Sequence, residues 1–368
     1  MRKILFIIPN LKVGGAERVI TEMANYLSND NNVTILTWSS EDIEDSYNLN
    51  NNVKRNFLNI DKRNNNFLSK FFFSLFRLFK IRKYFKKNNP EIIISFLEVT
   101  NIFTLIASLG LRKKIFISER SNPENIPYVN IQKDSSFNVN YKWHILRKIF
   151  YRFANIVVVQ TRETEKWFKN NVYCKTMIIP NHIRDLPILY NKREKTILSV
   201  GRLTSEKGVD TLIRAFSMCM SEIKSWNLVI GGDGKERKNL EKLSLDLNIG
   251  QRIKFTGSKS TPEDYMSKAG IYILSSKFEG FPNALLEAMA MGTPVISSNC
   301  KSGPADIIVE GHNGLFFNVD DKIELSETIL KLVKDENLRK KFSINSAIIK
   351  NDYNISKIML KWEKLFNE

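Results

Sequence analysis

The sequence predicts an α/β protein made of two doubly wound halves, and three observations carry that expectation. Short runs such as Ile4–Ile8, Ile156–Val159 and Ile271–Leu274 are apolar at consecutive positions, as strands covered on both faces are. Between the runs lie segments with apolar residues at helical spacing, and alternation of the two types implies parallel sheets. Glycines fall where a strand hands the chain to a helix, at Gly14-Gly15, Gly201, Gly231 and Gly280. In open α/β sheets that is where ligands sit.

Bulk properties set limits. The chain has 368 residues, enough for two domains, and 43% hydrophobic residues, enough for their cores. Its formal charge of +17 implies an anionic partner: nucleic acid, an acidic ligand or an anionic membrane face. The 3 cysteines, Cys174, Cys219 and Cys300, show no disulfide or metal spacing, so a reducing cytoplasm is expected. The apolar run at the N-terminus, Ile4 to Ile8, is ended by Pro9-Asn10 and is too short for a signal peptide or a membrane span. No stretch of about 18 apolar residues occurs elsewhere.

Taken in order, the first half opens with the strand Lys3 to Ile8. The Gly14-Gly15 turn lets a backbone approach a ligand closely. A helix follows from Ala16 to about Ser28, with Val19, Ile20, Met23, Ala24 and Leu27 on one face. Val33 to Thr37 reads as the second strand. Residues 62–87 hold 9 Lys or Arg and no acid. At helical spacing Phe67, Leu68, Phe71, Phe72, Leu75, Leu78 and Phe79 form one stripe, with Lys70, Arg77, Lys80 and Lys87 largely opposite. A basic, aromatic, amphipathic helix of this kind suits an anionic membrane surface, with Lys70, Phe71, Phe72, Arg77 and Lys80 at the contact. The other reading is a plain covering helix. The strand Glu91–Ser95, a helix to about Leu109, and the strand Lys114–Ser118 come next, then Glu119-Arg120. Residues 125–140 read as a mobile loop. Tyr141 to Phe153 is a second basic-aromatic helix, in which His144 is a packing or interfacial residue. Ile156–Val159 and Met177–Ile179 close the half. Pro180-Asn181-His182 opens a linker to about Lys195.

In the second half, the strand Thr196–Val200 leads into Gly201-Arg202 and on to Lys207-Gly208. Both cations leave a strand end and enter a helix start, so they can converge on one anion. Helix Val209–Ser221, strand Trp226–Ile230 and the turn Gly231-Gly232-Asp233-Gly234 follow. The strand Arg252–Gly257 contains Lys254, and Thr261-Pro262 caps a short helix. After Ile271–Leu274 the chain enters Ser275 to Asn283, a loop with Gly280 and Pro282 as breakers. A helix from Ala284 is stopped by Gly292 and Pro294. Glu279 lies in the loop, and Glu287 lies about one turn inside the helix. The helix N-terminus offers unpaired N–H groups and a positive dipole end, which suits a diphosphate. Helices near 322–334 and 336–349 and a last helix, Ile355 to Phe366, finish the chain. His312, between glycines, reads as a turn residue.

Glu279 and Glu287 with seven residues between them, the intervening GFPNALL and the following MAMGTPVISS resemble the signature of retaining glycosyltransferases of family 4, which have the GT-B fold. Gly14-Gly15-Ala16-Glu17, Gly201-Arg202 with Lys207-Gly208, and Gly231-Asp233-Gly234 fall at family-like places. The resemblance covers nearly the whole chain. It implies two Rossmann-like domains facing a cleft: 1–182, joined by a C-terminal helix (355–368) that crosses back, and 183–354. It also implies that the glycine loop closes on a nucleotide-sugar diphosphate, with Gly14 and Gly15 at the phosphate. Arg202 and Lys207 then clamp the leaving diphosphate, Glu279 holds the donor sugar and Glu287 the ribose. Gly280, Phe281, Pro282, Asn283, Ala284 and Leu285 line the pocket, largely through backbone groups. Gly201, Gly231 and Lys254 complete the nucleotide site. Many relatives carry histidine where this chain has Arg120, a departure that leaves Arg120 to bond donor sugar or acceptor phosphate through its guanidinium.

The expected reaction is metal-independent transfer of a hexose or N-acetylhexosamine with retention, from a UDP-sugar. No cofactor or metal is expected, since helix dipoles and the two cations serve the diphosphate and no Asp-x-Asp motif is present. SFLEVTNI and ISERSNP look similar to bacterial enzymes that extend polyprenyl-diphosphate-linked glycans with N-acetylgalactosamine. A lipid-linked glycan acceptor in surface polysaccharide or glycan assembly is therefore expected, with GalNAc or galactose as leading donor sugars. The site of action would be the inner face of the cell membrane, peripherally bound on the cytoplasmic side. Two other classes fit parts of the sequence. A GT-B-fold epimerase of UDP-GlcNAc would need no acceptor and no phenylalanine-rich basic helix. A nucleic-acid binder would explain the charge but leaves the Glu279–Glu287 loop without a role, so no nucleic-acid partner is expected.

Overall fold

The computed structural model describes residues 1–42, 44–60, 67–120, 123, 139–184, 186, 193–258 and 262–367. The expected loop at 125–140 lies almost wholly outside the described residues, as does Thr261. The chain divides into two compact units, Met1–His182 with Ile355–Glu368, and Ile183–Asn354.

The first unit has a sheet of 7 parallel strands. They are β1 (Lys3–Ile8), β2 (Asn32–Thr37), β3 (Lys54–Phe57), β4 (Ile92–Phe96), β5 (Lys114–Ser118), β6 (Ile156–Val159) and β7 (Thr176–Ile178), in the order β3-β2-β1-β4-β5-β6-β7. Its helices are α1 (Gly15–Leu27), α2 (Phe67–Asn88), α3 (Glu98–Ser108), α4 (Val139–Phe150) and α5 (Arg162–Asn171). Alternate strand residues point to opposite faces. Ile4, Phe6, Ile92 and Ile94 pack on α1 and the terminal helix Ile355–Asn367, through Met23, Ile358, Met359 and Trp362. Leu5, Ile7, Ile93 and Ile117 pack on the opposite layer with Ile81, Phe85, Ile102 and Phe168. Both faces are covered, which is why the strands read as continuous apolar runs. The edge strand β3, Lys-Arg-Asn-Phe, has no such run and was not anticipated. Backbone pairing with β2 alone defines it, and charged residues on an edge discourage further pairing.

The second unit has 6 parallel strands. They are β8 (Thr196–Val200), β9 (Asn227–Gly231), β10 (Ile253–Gly257), β11 (Ile271–Leu274), β12 (Val295–Ser298) and β13 (Leu315–Phe317), in the order β10-β9-β8-β11-β12-β13. Helices α6 (Val209–Cys219), α7 (Arg237–Asp246), α8 (Pro262–Lys268), α9 (Asn283–Ala290), α10 (Lys322–Lys334) and α11 (Glu336–Ala347) cover it. Strand order runs outward from β8 in one direction and from β11 in the other. The loops after these two neighbours therefore diverge and leave a crevice at the carboxyl edge of the sheet.

One expected face is corrected. Helix α2 turns Ile81 and Phe85 fully inward, with Phe73 and Leu78 packed against the same core, while Phe72, Leu75, Phe76 and Phe79 are exposed. Leu78 thus leaves the anticipated stripe and Phe73 joins the core. The helix has two apolar faces, and spacing alone does not say which one meets the sheet.

Candidate active site

The loops after β8 and β11 carry the cations and carboxylates of the second unit. Gly208 has φ +57, and a Cβ there would lie 2.2 Å from the Ser275 carbonyl oxygen. Only glycine lets the turn after β8 press this closely on the end of β11. The Ser275 hydroxyl donates to Lys207 O at 2.9 Å, and the Lys277 N–H donates to Glu206 O at 2.8 Å. This stitching brings Lys207 Nζ to 2.6 Å from Glu279 Oε1, which also accepts from the Ser276 hydroxyl at 2.6 Å. Glu279 is 8% exposed, so its charge is held by a paired cation and a hydroxyl rather than by water.

Glu287, one turn into α9, is 3% exposed. Arg184 Nη2 reaches its Oε2 at 2.5 Å, and Arg184 Nη1 pairs with Glu263 on α8. Tyr272, the second residue of β11, is fully buried. Its phenol is pushed far above its ordinary range by burial first and then by the charges of Glu279 and Glu287. The charges of Glu279 and Glu287 thus both reach Tyr272 on β11, with Glu279 paired to Lys207 and Glu287 to Arg184.

The structure distributes the other expected residues unevenly. Arg202 is exposed, but it shares a neighbour with Lys207. Burial would raise Glu206, yet the Thr204 hydroxyl, its own main chain and these two cations hold it below the ordinary carboxylate value. The Gly201 N–H donates to Gly231 O at 3.0 Å, so these glycines stitch the loops after β8 and β9 together. The side chains of Phe281 and Leu285 lie in the core, which leaves only their main chain to face a ligand; Pro282 is buried too. Gly280, Asn283 and Ala284 remain partly accessible. Lys254 is not brought to this group. It lines a cavity with Thr196, Asn227 and Arg252 at the starts of β8, β9 and β10, the opposite edge of the sheet.

In the first unit the glycine turn is held by a residue the sequence reading missed. The Gly14 N–H donates to the Tyr47 hydroxyl at 3.1 Å, and that hydroxyl donates back to Gly14 O at 3.0 Å. Gly15 is the exposed first residue of α1. Arg120 lies over the Phe96 ring at 4.1 Å and donates to Asn181. Burial pulls its guanidinium down to about 9, still a cation at neutral pH. His182, expected as linker, is instead 1% exposed within this unit, its Nε2 2.6 Å from Glu22 Oε2. Burial holds the imidazole below its ordinary value against the pull of Glu22. His144 packs edge-on to Trp167 at 5.4 Å, as a packing residue does.

A second group in this unit has no counterpart in the sequence reading. Arg147, 3% exposed, bonds Glu98 at 2.8 Å and lies 3.6 Å from Glu119. Glu119 accepts from the Tyr151 hydroxyl at 2.8 Å. Burial raises Glu98 to about 7, a rise that Arg147 opposes and the neighbouring charge of Glu119 assists. No motif spacing marks these residues, because they come from three separate places in the chain: Glu98 on α3, Glu119 after β5, and Arg147 with Tyr151 on α4 and the turn that continues it.

The expected membrane-facing residues divide. Phe72 is 65% exposed on α2. Arg77 instead stacks on Trp38 at 4.1 Å, and its burial lowers its pKa. Lys80 donates to Leu58 O at 2.9 Å. Arg77 is therefore a packing residue and Lys80 is tethered. The side chains of Lys70 and Phe71 lie outside the described residues. On α4 and the turn after it, Ile145, Ile149 and Phe153 are exposed beside Lys148 and Arg152. Among the described residues, no helix is long and apolar enough to cross a membrane, and no group of His, Cys, Asp and Glu could hold a metal.

Comparison with known proteins gives a consistent result. Residues 187–348 match the profile of the glycosyl transferases group 1, and residues 13–185 that of glycosyltransferase family 4. The chain is 30% identical, over 100% of its own length and 99% of the relative's, to a Campylobacter jejuni protein. That relative is named GalNAc-alpha-(1->4)-GalNAc-alpha-(1->3)-diNAcBac-PP-undecaprenol alpha-1,4-N-acetyl-D-galactosaminyltransferase. Among solved structures, sucrose-phosphate synthase of Thermosynechococcus elongatus is similar with a TM-score of 0.85 at 19% identity, covering 100% of this chain and 98% of that one. Anabaena Alr3699/HepE in complex with UDP and glucose is similar with a TM-score of 0.78 at 17% identity, covering 100% of both chains. With two parallel doubly wound sheets, a terminal helix returned to the first, and both halves matched in order, the chain belongs to the family 4, group 1 glycosyltransferases of the GT-B fold.

Proposed function

We propose that this chain transfers a hexose or N-acetylhexosamine, GalNAc or galactose first among them, from a UDP-sugar to a polyprenyl-diphosphate-linked glycan, with retention of the anomeric configuration. The observation that carries the donor half is the Lys207–Glu279 pair at 2.6 Å, set at the crevice between β8 and β11 and in front of α9. A lysine with three N–H donors can bond a carboxylate and still turn a proton toward a phosphate oxygen. Lys207, with Arg202 nearby, takes the negative charge that develops on the diphosphate as the glycosidic bond breaks. The first-turn amides of α9 add the positive end of a helix dipole. Both bonds to Glu279 fall on Oε1, which leaves Oε2 to accept from a hydroxyl of the donor sugar. Glu287 accepts from the ribose diol. Gly15 offers its main chain to the phosphate and Arg120 its charge to donor or acceptor.

The acceptor hydroxyl attacks the anomeric carbon on the face the diphosphate leaves. The bond to the diphosphate oxygen breaks, and that oxygen takes the acceptor proton. No side chain is required as nucleophile, and the positive charge needed by the leaving group comes from the chain itself. The reaction is thus proposed to proceed without a metal and without a cofactor.

The acceptor half draws support from two observations. The Campylobacter relative is named for an undecaprenol-diphosphate-linked glycan. Helix α2 exposes Phe72, Leu75, Phe76 and Phe79, and the turn after α4 exposes Phe153 beside Arg152, an apolar and basic surface suited to an anionic bilayer. The enzyme would then act from the inner membrane face as a peripheral protein in polysaccharide or glycan assembly. The test is incubation with a panel of UDP-sugars and lipid-diphosphate glycans, with product mass by spectrometry and anomeric configuration by NMR. A mass gain of one hexose or N-acetylhexosamine and an axial donor linkage carried into product are expected, with and without EDTA. Conversion of the sugar nucleotide with no acceptor product would overturn the reading.

A further inference from the structure

Arg184 stands where the chain enters the second unit, one residue after Ile183, whose N–H donates to Tyr353 O at 2.8 Å. No motif includes it. Its two terminal nitrogens are spent on two carboxylates from two helices: Nη2 on Glu287 Oε2 of α9 at 2.5 Å, and Nη1 on Glu263 of α8. A planar guanidinium tied at both ends has a fixed orientation, which a single-point ammonium lacks.

We propose that Arg184 is a positioning residue for the donor nucleotide: it holds the Glu287 carboxylate oriented toward the ribose diol. The proposal rests on the reading that Glu287 binds ribose. The physical need is plain. Glu287 is 3% exposed and Glu279 is 8% exposed, and both charges are felt by buried Tyr272. A carboxylate fixed in orientation can present its acceptor lone pairs to both hydroxyls of a vicinal diol. Lys207 pairs with Glu279, and Arg184 pairs with Glu287. Because Arg184 holds Oε2, it also sets the plane in which the whole carboxylate faces the ligand.

The test is titration calorimetry of wild type and of Arg184→Ala, Arg184→Lys, Glu263→Gln and Glu287→Gln with two probes, UDP and 2′-deoxy-UDP. Wild type is expected to prefer UDP by about tenfold or more, the range of a hydrogen bond to a charged group. Glu287→Gln and Arg184→Ala should each erase that preference, and the double variant should lose nothing further, since the two residues act as one unit. Arg184→Lys should retain part of it. In turnover, Arg184→Ala should raise KM for the UDP-sugar about tenfold and leave kcat within about twofold, whereas a merely structural role lowers thermal stability and leaves the ribose preference intact. If Arg184→Ala keeps the wild-type ratio while Glu287→Gln loses it, the ribose reading stands and the Arg184 proposal is wrong. If Glu287→Gln keeps the ratio, the ribose reading fails and this proposal goes with it. Should Arg184→Ala fail to fold, Arg184→Lys and Glu263→Gln carry the same comparison, and an unchanged ratio in both overturns it.

Discussion

At the residue scale, Lys207 is where charge and position meet. Lys207→Ala should lower kcat by roughly 100-fold or more, the cost of removing one preorganised group from a developing oxyanion. The fold should survive, because Lys207 ends a short 3₁₀ turn after β8 that contains no buried residue. A rate within threefold of wild type would remove it from the diphosphate site. Gly208 tests geometry instead of charge. Gly208→Ala forces a side chain into φ +57 and against the Ser275 carbonyl, 2.2 Å away, and should destabilise the second unit by about 2 kcal/mol in urea denaturation. Glu98 carries a pH signature. Its folded value, about 7, lies above the ordinary carboxylate value of 4.5, so the folded chain binds its proton more tightly than the unfolded chain does. Its contribution is therefore greatest at the acid end and is lost as pH rises from about 4.5 to about 7. Glu98→Gln should flatten stability against pH across that window; an unchanged slope would place the titration elsewhere.

At the element scale, α2 is the informative case. Its residues are largely basic and aromatic, and that composition was legible as amphipathic. Which side faced the sheet was not, because Phe73, Leu78, Ile81 and Phe85 are as apolar as Phe72, Leu75, Phe76 and Phe79. The neighbours decided: Trp38 and Phe103 on the sheet side also take in Arg77, a residue that spacing had assigned to the opposite surface. The two faces predict different outcomes. Phe85→Ala should cost about 3 to 5 kcal/mol, as a buried phenylalanine does, and leave vesicle binding unchanged. Phe76→Ser with Phe79→Ser should change stability by less than about 1 kcal/mol and weaken co-sedimentation with anionic vesicles. Equal losses of stability from both sets would remove the distinction. Helix α9 is the complementary case. Its start after Pro282 and its stop at Gly292 were written in breakers, and the spacing of Glu279 and Glu287 placed both carboxylates correctly on loop and helix.

At the scale of the whole molecule, each unit is closed by its own core, and the first borrows the end of the chain to do so. Trp362 is 1% exposed among Ile358, Met359 and Leu365, and Lys114 donates to Phe366 O at 3.1 Å. Trp362→Ala should cost the first unit about 3 to 5 kcal/mol, read as an early transition in thermal unfolding with the second unit's transition unmoved. A single shifted transition would instead show the units melting together.

The sequence by itself determined most of the architecture. Consecutive apolar runs, helical periodicity and breakers at strand ends are local, and each is encoded within a few neighbouring residues. The positions of the strands other than β3, the glycine turns and the Glu279–Glu287 loop follow from that local code, and the family was legible in the motifs they form. Tertiary structure alone decided who pairs with whom. It joined Lys207 to Glu279, Arg184 to Glu287 and Glu263, Tyr47 to Gly14, and Arg147 to Glu98 and Glu119. It placed Lys254 at the other edge of its sheet and drew His182 into the first core. Strand order brings together residues far apart in the chain, and a buried charge accepts only the partner that packing sets within hydrogen-bond reach.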